Sequence, residues 1–130
     1  MPSVAKGSFT VEMKPQDDPN AADGVSLGRL LLQKRFEGEL EGSSEGQMLT
    51  AMTSVKGSAG YVAIERVTGA LHGKAGTFVF QHTGTMSRGA QQLSISVVPD
   101  SGTGELIGLS GTFSIQIVEG KHLYEFEYQL

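Results

Sequence analysis

The sequence predicts an all-β protein: one domain, residues 1–130, folded as a single eight-stranded antiparallel β-barrel of the meander type. Three observations carry this. Eighteen glycines in 130 residues argue against helices, because a glycine inside a helix costs about 1 kcal/mol relative to alanine. The apolar runs between the glycines alternate with a period of two, which a disordered glycine-rich linker has no reason to do. Short strands follow one another through turn formers with no room for a crossover helix, and a meander of that size removes its exposed edges by closing. A two-sheet sandwich is the alternative architecture for the same pattern.

Taken in order, Phe9, Val11 and Met13 alternate with Ser8, Thr10 and Glu12, so Ser8–Lys14 is a half-buried strand. Pro15–Gly24, "PQDDPNAADG", is dense in turn formers and predicts a surface loop, read as a connection, with a lid as the alternative. From Ser26 to Met52 a helical turn or two around Leu30, Leu31, Lys34 and Arg35 competes, but Gly28, Gly38, Gly42 and Gly46 punctuate the segment as strands and bulges would. Strands are therefore expected at Leu27–Phe36, Glu37–Ser43 and Gln47–Met52. Tyr61–Val67 and Thr77–Met86 are rich in β-branched and aromatic residues, and "HGKA" between them predicts a II′ hairpin turn centred on Gly73 and Lys74. Gln92–Val98 alternates and stops at Pro99, "DSGTG" is a turn, "ELIGLSGTFSIQIVEG" is a strand with glycine kinks, and "KHLYEFEYQL" is a closing strand with Tyr124, Phe126 and Tyr128 on one face.

Composition narrows the function classes. The absence of cysteine excludes disulfides, thiolate metal sites and cysteine nucleophiles, and leaves the redox compartment open. The N-terminus lacks the apolar run of a signal peptide, and Leu30–Leu32 is far too short to span a bilayer, so a soluble, cytoplasmic protein without membrane partners is expected. A formal charge of −4 with scattered basic residues supplies no stripe for nucleic acid. "GTGELIG" from Gly102 misses the dinucleotide fingerprint by one residue and has no βαβ unit around it, so no cofactor is expected. His72, His82 and His122 lack metal-ligand spacing, and no metal is expected. "GLSGT" around Ser110 lacks the strand-to-helix setting of a hydrolase elbow. Arg29, Lys34 and Arg35, near Glu37, Glu39 and Glu41, read as a solvated outer face.

The stretches "GYVAIERVTGALHGKAGTFVFQHTGTM", "VVPDSGTGELIGLSGT" and "HLYEFEYQL" resemble a family of small bacterial proteins of unknown function, assigned to the allene oxide cyclase-like barrels whose plant relatives include the dirigent proteins. The likeness runs from about Phe36 onward. It implies an eight-stranded antiparallel barrel and, by analogy with the plant relatives, a homo-oligomer, trimer or dimer, holding an apolar substrate in the lumen. No catalytic residue of the plant cyclases can be matched to a position here, so none is carried over.

The candidate site comes from the hairpin. Centred on Gly73 and Lys74, it pairs Glu65 with His82, Arg66 with Gln81 and Val67 with Phe80, placing Glu65 and His82 as cross-strand neighbours with Cβ atoms about 4.5–5.5 Å apart. Alternation puts Tyr61, Ala63 and Glu65 on one face with Phe78, Phe80 and His82: an aromatic surface with one acid and one imidazole. Facing a lumen, Glu65 and His82 would be the catalytic candidates, able to move a proton, and Tyr61, Ala63, Phe78 and Phe80 the ligand-binding ones. The opposite face, with Val62, Ile64 and Val79, is more aliphatic and is the rival for burial; Glu65 and His82 would then be a solvent-facing pair. Three function classes follow: a binder of an apolar or amphipathic small molecule in the lumen, a cyclase- or isomerase-type enzyme, and a structural or interaction protein with a filled barrel.

Overall fold

The computed structural model describes residues 2–130 in nine strands: β1 (Ser3–Pro15), β2 (Asn20–Ala22), β3 (Val25–Gly38), β4 (Leu40–Met52), β5 (Ala59–Leu71), β6 (Lys74–Ser87), β7 (Ala90–Val97), β8 (Ser110–Val118) and β9 (Lys121–Gln129). All pairings are antiparallel. Neighbours run in the order β1-β9-β8-β7-β6-β5-β4-β3, and a β1–β3 pairing closes the ring, giving the expected eight-stranded barrel. The short β2 takes over from β1 along β3, pairing Val25–Leu27 where β1 pairs Leu30–Gly38. The predicted loop Pro15–Gly24 is thus in part the continuation of one wall strand.

Following cross-strand partners around the wall from Met13 leads through Leu32, Gly46, Glu65, Phe80 and Val97. Extending the Ser96–Thr112 register by one residue and continuing through Gly111 and Tyr128 returns to β1 at Ser3, ten residues from the start. That stagger fixes a strand tilt of roughly 40° and an interior wide enough for side chains or one small ligand. The wall is unevenly closed. Between β7 and β8 the ladder consists of one pair, Ser96 with Thr112, whereas β5 and β6 pair from Ala59–Met86 to Leu71–Lys74.

Three expectations need correction. Glu37–Ser43 and Gln47–Met52 are not two strands: β4 is continuous, and its glycines lie within a regular ladder. The β5–β6 turn is centred on His72 and Gly73, with φ of 47° and 82°, the I′ geometry that matches strand twist and favours glycine at its second central position. Asp23-Gly24, Arg88-Gly89 and Glu119-Gly120 repeat this positive-φ pair. Finally, β7 and β8 are not joined by a tight turn. Residues 98–109 cross one end of the barrel, contain a short 3-10 helix at Gly104–Leu106 in place of predicted strand, and add a partial ninth edge to β6 through Val98 N–H to Val79 O and Thr103 N–H to Thr77 O.

That loop makes the two ends of the barrel different. At the covered end, Leu106 and Leu109 pack with Leu40, Leu71, Phe36, Phe78, Phe80, Phe113, Tyr124, Phe126 and Tyr128 into one buried cluster. Phe113 lies at its centre, 4.8 Å from the Phe80 ring and 5.2 Å from that of Tyr124. Tyr124 also ties the β3–β4 turn down: its hydroxyl accepts from Leu40 N–H at 2.9 Å and lies 2.8 Å from Leu40 O. The other end is not filled. A cavity of about 240 Å³ opens there, lined by Met48, Thr50, Met52, Tyr61, Met86 and Leu93 among others.

Candidate functional site

Between the aromatic plug and the open mouth lies a layer of polar side chains that the barrel has removed from water. Glu65 is 0% exposed, His82 3%, Ser44 6% and Lys34 8%. Alternation explains the placement: Lys34 shares the inward parity of β3 with Leu32 and Phe36, Ser44 that of β4 with Leu40, and Glu65 and His82 those of β5 and β6 with Val67 and Phe80. The inward face of the hairpin is therefore the mixed one. Val62 and Ile64 point outward and are exposed.

The pairing inside the hairpin differs from the expected one. Glu65 lies opposite Phe80, and His82 opposite Ala63; relative to a turn on Gly73 and Lys74, the register is displaced by two residues. A shift of two preserves the face of every side chain, so Glu65 and His82 remain inward, now as diagonal neighbours. The long side chains bridge that diagonal, and His82 Nε2 lies 2.7 Å from Glu65 Oε2.

Glu65 is the hub of the layer. Lys34 Nζ donates to its Oε2 at 2.8 Å and Ser44 Oγ donates to its Oε1 at 3.0 Å, while Lys34 Nζ also sits 5.0 Å from the centre of the Phe9 ring, a cation–π contact. Burial is the largest single influence on the Glu65 carboxyl and pushes its pKa up. The imidazole of His82 and the Lys34 ammonium together outweigh it and hold the carboxyl down at about 2. The group is a permanent anion and a poor base near neutral pH. His82 is the less satisfied partner. Its Nε2 lies 2.7 Å from Glu65 Oε2 but outside the alignment of a regular hydrogen bond, so Glu65 is its one close polar contact, imperfectly made.

Tyr61 separates this layer from the mouth. Its ring lies 6.3 Å from that of His82 and rests against Gly84, where an added Cβ would overlap the ring; glycine is needed for that close approach. Burial, and secondarily the charge of Glu65, raise the Tyr61 hydroxyl pKa. Of the four expected ligand-contacting residues, only Tyr61 lines the cavity. Ala63 is buried beside His82, and Phe78 and Phe80 belong to the aromatic plug.

Two residues of the layer were not singled out from sequence. Lys34 was expected on the solvated outer face with Arg29 and Arg35; instead it turns inward, while Arg29 pairs with Asp17 at 3.0 Å and Arg35 is exposed. The alternation Leu30, Leu32, Lys34, Phe36 was the available clue. Ser44 carried none. The other histidines lie elsewhere: His72 in the β5–β6 turn between Glu39 and Tyr128, and His122 against Phe9.

Comparison with functionally curated proteins finds no match. Among solved structures, the chain is similar to a protein of unknown function from Shewanella oneidensis MR-1, of the family DUF3224, with 50% sequence identity and a TM-score of 0.96 over 100% of this chain and 98% of that one. The family model described as "Protein of unknown function (DUF3224)" matches residues 5–128. The chain accordingly belongs to the DUF3224 family, a family of unknown function.

Proposed function

We propose that the barrel binds a small amphipathic molecule, its apolar body in the mouth and its polar end directed toward the Lys34–Glu65–His82 layer behind Tyr61. The observation that carries this reading is a buried, incompletely paired charged layer directly beneath an apolar cavity. A fold seeking only stability would fill this position with aliphatic groups, because a buried ion pair is often no better than a well-packed apolar replacement. An apolar pocket with a few convergent polar groups is the usual form of a small-molecule site, and about 240 Å³ suits a ligand at the small end of the range. This use of the lumen agrees with the allene oxide cyclase-like relation inferred from sequence.

The second reading is an enzyme of cyclase or isomerase type in the same lumen. The strongly acidic Glu65 would then orient and stabilise, and His82, with its unaligned Nε2, would exchange the proton. Association into a homo-oligomer is supported by exposed Leu49, Val62 and Ile64, which are contiguous on the outer wall; light scattering tests it.

Native mass spectrometry of protein taken directly from cells tests the binding reading. A discrete added mass that dissociates on activation is expected, and is expected to be lost in Tyr61→Trp, which fills the mouth. Protein that arrives consistently at its bare mass, and whose mouth resonances do not move on titration with fatty acids or small aromatic carboxylates, would refute it. The enzymatic reading requires His82→Ala to abolish turnover while retaining the bound molecule.

A further inference from the structure

The distribution of sulfur along the barrel axis is one-sided. Apart from Met1, the four methionines occupy lumen-facing positions of their strands: Met13 on β1, Met48 and Met52 on β4, and Met86 on β6. Met52 and Met86 flank Ala59 in one cross-strand row, and Met48 flanks Ala63, the direct partner of His82. Met48, Met52 and Met86 all line the mouth cavity. The plug at the covered end contains no methionine among the described residues and is built from rigid rings and branched aliphatics. Thioethers are adaptable packing surfaces, and they are also the oxidisable groups of a chain without cysteine. Met52 is 58% exposed and Met13 51%, so peroxide reaches them without unfolding.

We propose that the mouth methionines are a peroxide-modified site that switches ligand binding off. This inference rests on the binding reading above. A lone pair of the Met52 sulfur attacks one oxygen of a hydroperoxide, the O–O bond breaks, and the departing oxygen leaves as water or alcohol after taking up the proton. Sulfur is oxidised by two electrons and the peroxide is reduced by two. The product sulfoxide is polar and chiral; at Met52, and then at half-buried Met48 and Met86, it places strong acceptors against the apolar body of a ligand, which cannot satisfy them. The aromatic plug contains no methionine among the described residues, and the ladder hydrogen bonds are made by the backbone, so the barrel keeps its fold while its cavity changes character. Reduction by methionine sulfoxide reductases reverses the change.

The test uses full-length protein, anilinonaphthalene sulfonate as the fluorescent probe, and hydrogen peroxide. Peptide mapping is expected to show sulfoxide at Met52 and Met13 ahead of Met48 and Met86. Probe affinity is expected to fall about tenfold or more with unchanged far-ultraviolet circular dichroism, and to return after reductase treatment. In the triple variant Met48→Leu/Met52→Leu/Met86→Leu, affinity before and after peroxide is expected to be the same, whatever its starting value. Full sulfoxidation of Met48, Met52 and Met86 without loss of affinity, or an equal loss in the triple variant, would overturn the switch while leaving the binding reading intact. Failure of the untreated protein to bind the probe would instead remove the binding reading, and the switch with it.

Discussion

Replacing Glu65 with glutamine keeps the shape of the hub and removes its charge. The Lys34 ammonium, with only 6% of its side chain exposed, then remains inside the barrel without a counter-ion. Two routes give the size of the effect. Lowering the carboxyl pKa from 4.5 to about 2 corresponds to about 3 kcal/mol of folding free energy, and removal of one partner from a buried pair costs about 3–5 kcal/mol in other proteins. Urea unfolding at pH 7 should therefore show a midpoint lower by roughly 2 M at unchanged slope. The paired variant Lys34→Met/Glu65→Leu removes both charges and should recover most of the loss, less about 1 kcal/mol for the Ser44 hydroxyl left without its acceptor. A Glu65→Gln protein within 1 kcal/mol of the parent, or a paired variant as unstable as the single one, would refute the claim that Glu65 is held by its cations.

The same linkage sets an acid limit: because the folded carboxyl is more acidic than the unfolded one, its contribution is complete above about pH 4.5 and is lost as pH falls through about 2; Glu65→Gln should flatten that part of the stability profile. Phe113→Ala removes a ring in contact with five others and should cost about 3–5 kcal/mol by thermal or urea unfolding. Tyr124→Phe leaves the buried Leu40 N–H without its acceptor and should cost about 1–3 kcal/mol, with Leu40 amide exchange accelerated. Gly84→Ala displaces the Tyr61 ring, so carbethoxylation of His82 by diethylpyrocarbonate should speed up relative to His72 and His122 mapped in the same digest; an unchanged ratio would mean that Tyr61 does not shield it.

The fold was legible because alternation and glycine-marked turns are local properties, and the closing strand with Tyr124, Phe126 and Tyr128 inward is written in consecutive residues. The inward face of the β5–β6 hairpin was legible for a subtler reason: a turn misplaced by one position shifts the register by two, and a period-two structure keeps its faces under that error. Exact partners are not protected in this way, so Glu65 and His82 are diagonal rather than opposite. Lys34 and Ser44 reach Glu65 from two other strands, a proximity created by ring closure and stagger that no local window contains. Charge misled in the case of Lys34, because a lysine between Gln33 and Arg35 looks solvated unless the alternation of its own strand is given more weight. The loop of residues 98–109 was misread because its Leu-Ile-Gly-Leu run has strand composition, while its apolar groups are used to cover the barrel end.

The single Ser96–Thr112 link between β7 and β8 also says how this tube can be cut. Ser3 and Tyr128 lie away from that joint, as ladder partners in well-knit wall, close enough for a short peptide to splice them. A circular permutant opened at exposed Asp100 would begin and end on the two staves already least attached to each other, turning the closed cylinder into a sheet whose outermost members meet only by their sides. Such a molecule should still roll up, since every strong seam remains within one continuous chain.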